Sequence, residues 1–155
     1  ETFCNDRSVT GGSGYLTTPI SYYGTFNRLY NKRTPSLKCI QDNDKFKVSN
    51  ASAKLDYPVS LITADEVAMA GGVWNTPNSN YYLYNGQYFW TLSPSLFNSY
   101  ASHASVWHVL PLGSLDPWDN VASSYGVRPV INLRSDVQIT KGDGTSLNPY
   151  VVSTT

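Results

Sequence analysis

Residues 60–72 read SLITADEVAMAGG, and they carry a full set of local instructions for one short helix. Thr63 suits the N-cap, and Glu66 three residues on completes a capping box in which each side chain satisfies the other's backbone amide. Ile62 before the cap and Val67 at the fourth helical position are placed to close a hydrophobic staple. Asp65 and Glu66 set negative charge in the first turn, where the helix dipole favours it. Gly71-Gly72 then offers the left-handed exit that ends the helix.

Around this helix the chain reads as short strands joined by turns. Residues 1–50 hold GGSG at 11–14, TTP at 17–19 and the polar run KCIQDNDKFKVSN, which predict short strands and long loops. After the helix, YYLYNGQYFWTLSP (81–94) shows strand-like aromatic enrichment around Asn85-Gly86, the dipeptide most often found in two-residue hairpin turns. ASVWHVL (104–110), GVRPVINL (126–133) and NPYVVS (148–153) read as further short strands, with KGDGTSLNP (141–149) as the turn before the last one. Pro129 has no N–H to donate, so its strand is expected at an edge or a bulge. One or two short helices among many strands predict an α+β fold, and 155 residues suit one domain, 1–155, with a single core.

Composition narrows the function classes. Eleven basic and eleven acidic residues cancel, and only 14% of the chain is charged, against roughly 25% in an average soluble domain. Such a chain lacks the positive footprint that nucleic acid demands and the basic face that anionic lipid attracts. No apolar run approaches the length needed to cross a bilayer, so direct membrane insertion is not expected. Twelve tyrosines and four tryptophans stand out instead; such side chains fill β-rich cores and equally serve recognition surfaces. Cys4 and Cys39 are 35 positions apart, and a bridge over that span stabilises by roughly 3–4 kcal/mol in the chain-entropy model. The cysteine pair, the few charges and a start at Glu1 in place of Met lead us to expect the C-terminal part of a longer exported protein, in an extracellular setting at a bacterial surface or on a phage particle.

Two segments resemble a known family. LITADEVAMAGG is similar to the helix of formylglycine-generating-enzyme-like (sulfatase-modifying-factor) domains at Leu61, Thr63, Glu66, Ala70, Gly71 and Gly72, with a gap before the glycines one residue shorter. YGVRPVINLR resembles the strand that closes those domains, with Gly126 and Arg128 matching and Val127 in place of an aromatic. Trp90-x-x-Ser93-Pro94 followed by GVRP also resembles bacterial exported domains that end in a GVRPV pattern. The resemblance covers about residues 58–135. It implies a C-type-lectin-like fold whose terminal strands pair and whose long loops carry a binding face. The chemistry of the enzymes does not transfer, because no cysteine follows Cys39 and only His103 and His108 could supply imidazole. Calcium-lectin chemistry does not transfer either: Trp118-Asp119-Asn120 is out of order for that motif and has no partner tripeptide. In variable proteins of diversity-generating retroelements, which share this type of fold, the diversified positions precede the closing strand; residues 98–125 stand in that place.

In that segment, VWHVLPLGSLDPWDN (106–120) sets bulky side chains among turn-formers. Val106, Val109, Leu115 and Val121 are the expected inward residues. Side chains alternate along a strand, so no single register buries Trp107, His108, Leu110 and Leu112 together. The candidate ligand-binding residues are therefore Tyr100, His103, Trp107, His108, Leu110, Leu112, Trp118 and Asp119, as an aromatic and apolar face; core packing is the alternative for each. Trp74, Tyr81, Tyr82 and Tyr84 either pack beside Trp90 or rim the same face. Arg128 is expected to tie loop carbonyls together. His103 and His108, five apart, are poorly spaced to share a metal, Asp143 is accounted for by a Gly-flanked turn, and no nucleophile elbow is present, so no metal, cofactor or catalytic residue is expected. These readings favour a non-catalytic binding module for a protein or glycan ligand on another cell or host surface. An enzyme with relocated catalytic groups and a structural, pilin-like subunit are the alternatives.

Overall fold

The helix forms where its local signals place it. The structure is a computed structural model that describes residues 2–11, 20–145 and 147–154; the GSG of the first turn signal and the TTP signal therefore lie outside the described residues. In chain order, β1 (Phe3–Cys4), β2 (Val9–Gly11) and β3 (Ile20–Tyr23) lead into a helical turn, α1 (Gly24–Phe26), that continues as a π-helical segment over Asn27–Lys32. A 3₁₀ turn (Asp42–Asp44) precedes β4 (Lys45–Phe46), and β5 (Val59–Leu61) precedes α2 (Ala64–Ala70). There follow β6 (Phe89–Asn98), β7 (His103–Val109), β8 (Leu115–Asp116), β9 (Pro129–Ile131), β10 (Val137–Lys141) and β11 (Val151–Thr154). The architecture is mixed and strand-rich, an α+β arrangement.

An antiparallel sheet in the order β2-β3-β6-β7-β8 is the frame, and three two-stranded ribbons, β1-β4, β5-β9 and β10-β11, surround it. The register sets Trp90 opposite His108, Phe89 opposite Val109, and His108 opposite Asp116. Thr63 Oγ1 accepts from Glu66 N at 3.2 Å, and Glu66 Oε2 accepts from Thr63 N at 2.8 Å, closing the expected capping box. Ile62 and Val67 enter one buried cluster with Leu29, Tyr81, Phe89, Trp107, Val109 and Leu115, so the staple is part of the core itself. Gly71 has φ 123°, and a Cβ there would sit 3.0 Å from the Cβ of Tyr81. The two glycines thus end the helix and also admit Tyr81 beneath it.

That contact redirects the chain that follows the helix. Asn85-Gly86 does not make a hairpin: Tyr81–Tyr84 closes a turn of its own (Tyr84 N to Tyr81 O, 2.9 Å), and the strand begins only at Phe89. With Tyr81 7% exposed in the core, the chain before Asn85 is drawn down onto the helix and away from any strand partner. Arg128 behaves as expected, donating to the carbonyl of Leu83 and lying 4.7 Å from the centre of the Phe89 ring. Pro129 lies in the edge ribbon, opposite Leu61.

The helical segment 24–32 was not expected, since it has no side-chain cap at Tyr23. Tertiary contacts hold it: the Arg28 guanidinium donates to Asp65 at 2.9 and 2.7 Å and to Asp6 at 2.5 Å, tying the segment to the first turn of α2 and to the β1–β2 connection. Burial raises the Asp6 carboxyl, but hydrogen bonds from Ser8 and Arg28 outweigh it and hold the group below its ordinary value. Beside this knot Cys4 and Cys39 form the disulfide, with Cα atoms 5.6 Å apart. The terminal strands do not pair with one another: β1 pairs β4 and β11 pairs β10. The chain start instead meets the end of β9 through Asn132 Nδ2 and the Thr2 carbonyl at 3.5 Å.

Candidate functional site

The alternation of β7 sends Trp107 and His108 to opposite faces of the sheet, and both faces are covered. Trp107 is fully buried among Leu29, Val67 and Leu115, with Phe26 at 6.4 Å between ring centres. His108 is fully buried on the other face, against Trp90 (5.7 Å) and Tyr125 (5.1 Å). The expectation that these two side chains face solvent is therefore corrected. A covering layer contributed by distant chain segments, 24–32 on one side and Tyr88 with Tyr125 on the other, removes both from water.

The remaining candidates scatter. Tyr100 is exposed on the β6–β7 connection and His103 half-buried at the start of β7; Leu110 is half-buried, and Leu112 exposed beyond the end of β7. Val121 is exposed, against expectation, and Val106 only half-buried. Tyr82 is exposed, whereas Trp74 packs on Tyr30 at 4.2 Å. Asp119 and His108 do come together, with Asp119 Oδ2 3.3 Å from His108 Nε2 but without hydrogen-bond geometry. The Tyr125 hydroxyl donates to the same carboxylate oxygen, and that bond pushes the Tyr125 phenol up to about 12. Burial depresses the His108 imidazole below its usual range, against the pull of Asp116 and Asp119. This unit seals His108 beneath it, while Tyr88 and Asp119 themselves remain partly exposed.

Trp118 alone among the two proposed tryptophans reaches solvent, at 45% exposure. Buried small residues hold the loop that carries it. Ser95 Oγ donates to the Pro117 carbonyl at 2.6 Å, and Ser105 Oγ to the Trp118 carbonyl at 3.3 Å; both serines are essentially inaccessible. Asp116 Oδ1 accepts from Trp118 N at 2.9 Å, and Val121 N donates to the Ala104 carbonyl at 3.1 Å. The turn-formers therefore build a stiff bracket that projects an indole, and the side chains of Trp118 and Asp119 leave it on opposite sides of the sheet.

The indole meets the helical segment edge-on, with Phe26 at 5.4 Å and Tyr30 at 5.6 Å, interplanar 72° and 84°. Tyr22, Phe26 and Tyr30 recur every four residues, so they form one aromatic row, with neighbouring ring centres 4.5 and 4.6 Å apart. An open groove of about 410 Å³ runs between Trp118 and this row, and Thr10, Asn27 and Asn31 complete its described lining. Asn31 Nδ2 donates to Asn27 Oδ1 at 3.1 Å. Sequence reasoning found Trp118 and missed the other wall. The visible signal was the four-residue spacing of Tyr22, Phe26 and Tyr30, with Asn27 and Asn31 repeating the same step. Among the described residues no group of three or more His, Cys, Asp or Glu side chains is placed to hold a metal ion, and no described helix is long and apolar enough to cross a membrane.

In comparisons with known proteins, no family model, no curated protein and no solved structure matches this chain.

Proposed function

We propose that this domain is a non-catalytic ligand-binding module of an exported bacterial or phage protein, and that its binding face is the Trp118 groove. The observation that carries the reading is a half-exposed indole on a loop clamped by two buried serines, beside the half-buried rings of Tyr22 and Tyr30 with Phe26 buried between them. Such preorganised aromatic surface is where binding free energy concentrates, because little entropy is lost when a ligand settles. The disulfide supports an oxidising, extracellular location. It also joins the only two cysteines to each other, which supports a binding role over thiol chemistry. A C-type-lectin-like fold belongs to this proposal, supported by the capped helix, the Arg128 anchor and the nearness of Thr2 to Asn132, although the end strands pair locally. Diversification of residues 98–125 also belongs to it; surface variation there would fall on Tyr100, Leu112, Trp118 and Val121.

The test presents the whole chain and its Trp118→Ala variant to an array of defined oligosaccharides and to a displayed peptide library. Selective binders lost in the variant, with its fold retained by circular dichroism, support the module. Binders indifferent to Trp118, or none in either collection, refute it.

A structural subunit is the second reading, favoured by the apolar side chains of β9 to β11: Ile131, Ile139, Val151 and Val152 are all exposed. Sedimentation that stays monomeric as concentration rises would exclude it.

A further inference from the structure

The chemistry of the groove singles out a class of ligand, and this inference rests on the binding reading above. We infer that the Trp118 groove takes an uncharged pyranose ring, as the terminal or internal residue of a neutral glycan.

Three features of the lining point there. First, the described lining carries no charge: the rings of Tyr22, Phe26, Tyr30 and Trp118 are joined only by Thr10 and two asparagines. An acidic sugar, a phosphate or a charged peptide would lose hydration on entry with no opposite charge to replace it. A neutral ligand loses far less, because its hydroxyls carry no charge and can exchange water for the amides of the lining.

Second, polar groups stand beside the aromatic surface. A hydrophobic peptide anchor binds best in a dry, closed pocket, whereas this groove is open and its walls mix rings with amides. A pyranose matches both parts of that lining, since one face offers C–H groups to a ring and the rim offers hydroxyls.

Third, the two amides are arranged as a pair. Asn31 spends one N–H on Asn27 Oδ1. Among the described residues this leaves Asn27 Nδ2 as a donor and Asn31 Oδ1 as an acceptor, one helical step apart. A donor beside an acceptor is complementary to two neighbouring sugar hydroxyls, each of which gives and accepts one hydrogen bond. The bond between the amides, at the exposed rim, favours this orientation of both before the ligand arrives and so lowers the entropy lost on binding. A groove of about 410 Å³ falls in the range of small-ligand sites.

The experiment is a titration of the intact, disulfide-bonded chain, followed by amide and indole NMR shifts. The probes are neutral disaccharides (β-1,4-linked glucose, β-1,4-linked N-acetylglucosamine, α-linked mannose and β-linked galactose), with glucuronic acid and sialic acid as charged counterparts. The expected result is saturable shifts of the Trp118 indole with at least one neutral disaccharide, and binding at least tenfold weaker for both acids. Trp118→Ala should lose at least tenfold in affinity, and Asn27→Ala and Asn31→Ala several-fold each. Tyr57→Ala, whose ring is 76% exposed elsewhere, should bind as the parent does. Saturable shifts confined to residues outside the groove overturn the inference, as does preference for the acids or indifference to both asparagine variants. If no sugar binds while a library peptide still needs Trp118, the glycan assignment fails and the module survives. If neither binds through Trp118, both fail.

Discussion

Replacing the two central tryptophans separately should give opposite results. Trp107 is fully buried, and Trp107→Ala removes an indole from the junction of α2, the helical segment and β7–β8. Truncations of this kind cost about 3–5 kcal/mol, the lost transfer free energy plus the cavity left behind. Part of the indole's burial is already less favourable than it could be, because among the described residues its Nε1–H has no acceptor. The effect of Trp107→Ala is accordingly expected at the lower end, about 3 kcal/mol. In a chain of 155 residues that is a fall in Tm of about 6–12 °C. Trp118 is 45% exposed, and its buried part is about 100 Å², which at about 25 cal/mol per Å² gives roughly 2.5 kcal/mol as an upper bound. Trp118→Ala should therefore cost about 1–2 kcal/mol and abolish ligand capture. Urea and thermal unfolding with the disulfide intact measure both variants. A Trp118→Ala protein as unstable as Trp107→Ala would show that the outer indole is core, and the binding face would go with it.

Further expectations concern the supports. Joint replacement of Cys4 and Cys39 by Ser should cost roughly 3–4 kcal/mol, read as a lowered urea midpoint that matches reduction of the parent. Arg28→Met leaves the carboxylates of Asp6 and Asp65 without their cation, and unfolding should become easier by about 3–5 kcal/mol; an unchanged midpoint would mean that the knot is ornamental. Burial holds the folded His108 imidazole below its ordinary value, so the unfolded chain binds more protons than the folded one as pH falls below about 6.5. Stability should thus be intact above that pH and decline from it toward the lower folded value, with Asp116, Asp119 and Tyr125 as the groups that face the imidazole. His108→Phe should flatten this slope, leaving the acid-range loss in which Asp6 takes part as it protonates below its ordinary value. Thr63→Ala should cost about 1 kcal/mol by opening the capping box.

The α2 helix was legible because everything that starts and stops it lies within a dozen residues: a cap, its reciprocal glutamate and two glycines. The strands β7, β9 and β11, the Cys4–Cys39 bridge and the role of Arg128 were legible for related reasons of local pattern or residue chemistry. The helical segment 24–32 gave no such signal, since its determinants are Asp6 and Asp65, 22 and 37 positions from Arg28. What the sequence determined by itself was that aromatic side chains would stand among turns between the helix and the GVRP strand. Only the tertiary structure decided which of them meet water. Alternation says that Trp107 and His108 point to opposite faces of a strand, but whether a face is covered depends on segments that pack from elsewhere. Segment 24–32 shields one side, Tyr88 and Tyr125 shield the other, and Trp118 stays outside because the serine-clamped bracket lifts it to the edge of that cover.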